Sequence, residues 1–151
     1  MNILVFSILG YLTSLLLPPF FIFPLGFFIF TYICFCVDKY KTNKLNFFIC
    51  SFSFGLTFFG SFLFWIKNPF LVLEETKEIY LLSFFLIILL ALIFGIIFTI
   101  IVKFNKILPT LFLVPFIFIL TEYFVSIFFY GFPWFNFSLV LSGNQSLSLI
   151  I

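Results

Sequence analysis

Histidine and arginine are both missing from these 151 residues, and all seven basic side chains are lysines. Without histidine the chain has neither the commonest general base nor the commonest metal ligand, so no metal, no cofactor and no chemistry at its own side chains is expected. Charge of either sign is scarce, at 8% of residues and a net of +2. That balance points to no nucleic acid and no acidic partner, and leaves the lysines to be read as topology signals. Cysteine is confined to Cys34, Cys36 and Cys50, in or beside apolar runs and with no CxxC pair. Each reads as a small buried hydrophobe rather than a nucleophile.

What the chain does have is hydrocarbon. It is 65% hydrophobic, against about half for a soluble domain, and its mean hydropathy is +1.39. An integral membrane protein follows. The 31 phenylalanines also fit the codon bias of an AT-rich genome, so single Phe residues carry little weight. A helix needs roughly 20 apolar residues to cross about 30 Å of hydrocarbon. Four runs meet or approach that length: Phe20–Val37, Leu45–Ile66, Ile79–Val102 and Ile107–Phe129. A first run, Ile3–Leu17, is shorter and stops at Pro18-Pro19, where a helix must end or kink. It reads as a further span rather than a removed signal peptide, because no basic residue precedes it and no small-residue cleavage site follows it. Beyond Ser142-Gly143-Asn144-Gln145-Ser146 a new apolar run begins at Leu147 and extends to Ile151, too short by itself to cross a membrane. The expected fold is an all-α integral membrane protein, a polytopic helix bundle of about five transmembrane helices plus the start of a sixth, with residues 1–151 as one transmembrane domain.

Three charged loops set the orientation. Asp38–Lys44 carries three lysines and Lys103–Lys106 carries two, whereas Lys67–Glu78 between them sets two lysines against Glu74, Glu75 and Glu78. Lysine excess marks the cytoplasmic side. The first and third loops and the N-terminus are therefore expected in the cytoplasm, and the Pro18-Pro19 turn, the Glu-rich loop and Gly131–Trp134 on the outer face.

Three features stand out of the apolar background. Gly55 and Gly60 precede Trp65 at the outer end of one span, a pattern that suits close helix packing and an interfacial anchor. Glu122 lies well inside the last long run, where a carboxyl is costly and marks a candidate functional site. Its bland alternative is a hydrogen-bonded structural residue served by Thr121, Tyr123 or Ser126. The turn Gly131-Phe132-Pro133-Trp134 ends that run. Alone it is a helix stop with an interfacial Trp; at the mouth of a span it is also a place where lipid could be handled.

The ordered set Leu17-Pro18-Pro19-Phe20, Phe23-Pro24-Leu25-Gly26, Phe54-Gly55 through Gly60 and Trp65, Pro115, Thr121-Glu122 and Gly131-Phe132-Pro133-Trp134 resembles the N-terminal membrane part of apolipoprotein N-acyltransferase. The resemblance covers essentially the whole chain. It implies a bacterial inner-membrane, multi-pass enzyme of lipoprotein maturation, with membrane phospholipid as acyl donor and an apolipoprotein as acceptor. It also implies an eight-helix bundle and a periplasmic nitrilase-like domain whose Glu-Lys-Cys triad forms a thioester. That triad is expected beyond Ile151, so no catalytic residue can be placed within residues 1–151, and Cys34, Cys36 and Cys50 do not match it. The family often carries Arg three residues after the acid of the fifth helix, where this chain has Val125. Glu122, Gly131, Phe132, Pro133, Trp134 and Trp65 remain as lipid-access or structural candidates. The rival reading is a small non-catalytic membrane protein, such as a transporter subunit, in which Glu122 contacts an ion or substrate.

Overall fold

The computed structural model describes residues 2–40, 44–72, 74–107, 109–128 and 137. These described residues form six α-helices and no strand: α1 (Ile3–Ser14), α2 (Phe23–Tyr40), α3 (Lys44–Phe62), α4 (Asn68–Val72), α5 (Leu81–Ile101) and α6 (Thr110–Phe128). Short 3₁₀ turns at Phe64–Lys67, Glu74–Ile79 and Val102–Lys106 lead into or out of them. The protein is thus an all-α helical membrane protein, and its helices follow the apolar runs. The last run, Leu147 to Ile151, which was expected to open a sixth span, lies outside the described residues.

Three of the described segments are long and apolar enough to cross a membrane: α3, the stretch around α5 from Glu74 to Phe104, and α6 from Thr110 to Ile127. α2 has 18 residues and closes on the charged pair Asp38-Lys39. α1 falls short of the expected first span. Its 12 residues cover about 18 Å at 1.5 Å per residue. Its end then tightens into a 3₁₀ turn, with Leu15, Leu16 and Leu17 donating to the carbonyls of Leu12, Thr13 and Ser14. The Asn2 side chain caps its start by accepting the Leu4 N–H at 3.0 Å. The turn to α2 runs through Pro18-Pro19 and Phe21, whose φ of 51° puts a bulky residue in the left-handed region. Ile22 donating to Leu15 at 3.0 Å ties this turn together.

Small residues set the closest approaches. A Cβ on Gly10 of α1 would overlap the Phe54 carbonyl oxygen and the Thr57 hydroxyl of α3. Beside it, the Ser7 and Ser53 hydroxyls meet at 2.6 Å. On the opposite side of α3, a Cβ on Gly55 would lie 3.1 Å from the Ala91 Cα of α5. α3 is consequently the central helix, packed along both α1 and α5, while α6 rests on α2 and α5. Gly55 therefore packs as the glycine pattern predicted, whereas a Cβ on Gly60 would, among the described residues, meet just the Ile87 Cγ2, at 3.9 Å.

The core is aromatic. Phe47 stacks on Phe98 with centroids 5.3 Å apart, Phe54 on Phe94 at 5.2 Å, and Phe118 of α6 lies edge-on to Phe54 at 6.0 Å. Offset and edge-on pairs of this kind add to the burial of the rings themselves.

Candidate functional site

The two ends of the bundle differ in chemistry. At one end, the Thr110 hydroxyl that opens α6 donates to the Asp38 carboxylate at the close of α2, 2.5 Å away. The Cys34 thiol, one turn earlier, donates to the Thr110 carbonyl at 3.7 Å. This contact brings the C-terminal end of α2 and the N-terminal end of α6 to the same end of the bundle.

At the other end, Pro18, Pro19 and Phe20 share a cavity of about 450 Å³ with Trp65, Asn68 and Ser61. Trp65 is 51% exposed, so its indole stands at the rim. Lys67 holds its ammonium 3.6 Å above the Phe64 ring, a cation–π contact that keeps the charge beside the aromatic rim. The Glu-rich segment lies exposed beyond it, with Lys77 paired to Glu74.

A second cavity, of about 440 Å³, lies between α2 and α6 and is lined by Phe23, Gly26, Phe27, Leu111, Pro115 and Phe137 among others. Phe137 belongs to the stretch after α6. Its ring stacks on Phe58 at 5.9 Å and meets Phe118 edge-on at 4.9 Å. Its backbone N–H donates to the Glu122 carboxylate.

That bond defines the place of Glu122. The side chain is half-buried, and its partner is a backbone group fifteen positions on, not the nearby hydroxyls that sequence proximity suggested. Thr121 instead returns its hydroxyl to the Ile117 carbonyl at 2.8 Å, and Tyr123 is 60% exposed. Val125 is buried at 1% exposure, so the position where the family often has Arg is here part of the apolar core. Gly131, Phe132, Pro133 and Trp134 lie outside the described residues, as do residues 138–151, beyond which the catalytic triad was expected. Cys36 and Cys50 are buried and Cys34 half-buried. Among the described residues no group of three His, Cys, Asp or Glu side chains comes together.

Residues scattered along the sequence thus converge on two cavities. Pro18, Pro19 and Phe20 meet Trp65 at one, and Phe23 and Gly26 meet Pro115 at the other, while Glu122 pairs with Phe137, which lines the second. Sequence reasoning missed Phe137, Gly10 and Asp38. Only Asp38 carried a signal, as an acid inside a lysine-rich loop.

A polytopic helical membrane protein with exposed aromatic residues such as Trp65 near one end of its helices and an acid, Glu122, inside an apolar helix is the class these features define. The chain belongs to the family described as the apolipoprotein N-acyltransferase N-terminal domain, which matches residues 9–151. The family is that of an acyltransferase. No curated protein and no solved structure matches the chain.

Proposed function

We propose that residues 1–151 are the membrane part of an apolipoprotein N-acyltransferase, which transfers an acyl chain from a phospholipid to the N-terminal diacylglyceryl-cysteine of an apolipoprotein. The single observation that carries this reading is the family match over residues 9–151, on a bundle whose motif residues gather around two cavities. The partners are membrane phospholipid as donor and apolipoprotein as acceptor. The location is the bacterial inner membrane, with the N-terminus, the Asp38–Lys44 loop and the Lys103–Lys106 loop in the cytoplasm. The end that bears Trp65 and the Pro18-Pro19 turn is then periplasmic, where lipoproteins are modified.

The chemistry belongs to a nitrilase-like domain outside residues 1–151, its Glu-Lys-Cys triad lying beyond Ile151. These helices anchor that domain and present lipid to it, with Glu122 and Trp65 serving structure and lipid access. A chimera tests this division. Residues 1–151 are joined to the sixth helix onward, including the catalytic domain, of a full-length member, and the product is expressed in cells depleted of their own enzyme. Restored N-acylation, read by mass spectrometry of a lipoprotein, is the expected result. A chimera that inserts and accumulates normally yet never acylates would overturn it.

A further inference from the structure

We infer that the groove between α2 and α6 holds one acyl chain of a membrane lipid, drawn from the leaflet on the side of the Pro18-Pro19 turn. Four observations carry this. The wall is hydrocarbon, and its two polar side chains are already engaged: Thr31 donates to the Phe27 carbonyl at 2.6 Å and Cys34 to the Thr110 carbonyl at 3.7 Å. A ligand that needed hydrogen bonds would find no side-chain partner among these described residues, whereas a hydrocarbon tail loses nothing.

The groove also opens sideways. Phe27 and Leu111 on its rim are 67% and 70% exposed, so in a bilayer its mouth is continuous with the lipid that bathes the spans. Its depth fits one leaflet. Cys34 lies eleven positions beyond Phe23 on the helix, a rise of about 16 Å, half of a hydrocarbon core of about 30 Å. Its volume of about 440 Å³ lies in the range of roughly 300–1,000 Å³ typical of small-molecule sites.

Finally, the groove has a direction. The Asp38, Thr110 and Cys34 cluster closes the end toward which α2 runs, while the end at Leu16 and Phe23 lies beside the α1–α2 turn. A chain entering from the turn side therefore points its methyl end at Cys34.

Gly26 supplies the probe. Among the described residues, the nearest atoms to a Cβ there are the Leu16 methyls, at 3.6 Å, and the Phe30 ring, at 4.0 Å. Ala fits without adjustment, and a larger side chain extends into the groove. The 151-residue chain is placed in nanodiscs of phosphatidylethanolamine and phosphatidylglycerol doped with a phospholipid bearing a diazirine at the end of one acyl chain. After photolysis, adducts are mapped by mass spectrometry. They should concentrate on Cys34, Leu111 and Pro115, and shift to Leu16 and Phe23 when the diazirine sits near the ester.

Gly26→Trp should lose most of these adducts and Gly26→Ala keep them, with labelling of Phe85 on α5 unchanged as a control for insertion. If Gly26→Trp fails to insert, Leu111→Trp blocks the groove from its other wall. Groove labelling no denser than that of Phe85 and unmoved by either Trp would overturn the inference. So would an unlabelled groove, the result expected if a second copy or a later segment of the chain filled it. The inference rests on membrane embedding alone, so an inactive chimera would leave it standing.

Discussion

Glu122 shows how a single residue is made tolerable in a membrane. Lipid offers a carboxyl no partner, and the Phe137 N–H supplies one from within the protein. In a full-length relative carrying this segment, Glu122→Gln keeps an oxygen that can accept the same N–H and should retain insertion and activity. Glu122→Lys removes the acceptor and reverses the charge, at a cost of about 2–4 kcal/mol before relaxation. Membrane insertion assays and complementation of lipoprotein maturation check both. Equal tolerance of Lys and Gln would mean that the side chain faces lipid or water; loss of activity with Gln alone would mean that the carboxylate takes part in chemistry.

Gly10 is a second residue whose role is steric. Gly10→Val would drive methyl groups into the Phe54 carbonyl, and overpacking of this kind costs about 1–3 kcal/mol, to be read as a lowered unfolding midpoint in detergent. Glu122 was legible as the one acid in an apolar run. Its partner and the role of Gly10 were not, because each depends on a contact between distant segments that no local pattern encodes.

Among the elements, the apolar runs located the helices to within a few residues, and the discrepancies have local causes. α2 starts at Phe23 rather than Phe20 because the chain is still turning at Phe21. α6 starts at Thr110, immediately after Pro109. α3 stops at Phe62 because its last expected turn tightens to 3₁₀ before Asn68-Pro69. The phenylalanines, individually uninformative in the sequence, are sorted only by packing: Phe47, Phe58 and Phe59 are at most 2% exposed, whereas Phe27 and Phe28 are at least 67% exposed.

The contact between Asp38 and Thr110 joins α2 to α6 and is open to test. Thr110→Val removes one hydrogen bond and should destabilise the α2–α6 pairing by about 0.5–1.5 kcal/mol. Asp38→Asn keeps an acceptor oxygen and should cost less. The measurement is the unfolding free energy of each variant in the same detergent, and a Val variant as stable as the parent would show that the hydrogen bond contributes nothing net.

The same contact bears on orientation. In a cysteine-free background, single cysteines at positions 41 and 103 should resist a membrane-impermeant thiol reagent in intact spheroplasts, and those at 75 and 134 should react. Labelling at 41 and 103 with none at 75 would invert the topology.

For the whole molecule, the helical membrane class follows from composition, because so little charge and so much hydrocarbon cannot fold around a water-exposed surface. The two cavities do not follow from it. They arise where α1, α3 and the turn between α1 and α2 meet, and between α2 and α6, and no periodicity within one helix predicts a gap between two.

The absence of histidine and the placement of the thiols lead to the last prediction. A thioester mechanism needs an exposed, activated thiolate. Cys36 and Cys50 are buried, and Cys34 is half-buried with its thiol directed at the Thr110 carbonyl. The purified 151-residue chain should therefore transfer no acyl group from phospholipid to an apolipoprotein peptide, whatever lipid its grooves hold. Mass spectrometry of the peptide after incubation in nanodiscs gives the answer directly. Acylation that is abolished by a thiol-blocking reagent would place a working nucleophile among Cys34, Cys36 and Cys50. In that case the division between a lipid-presenting membrane part and a separate catalytic domain would have to be abandoned.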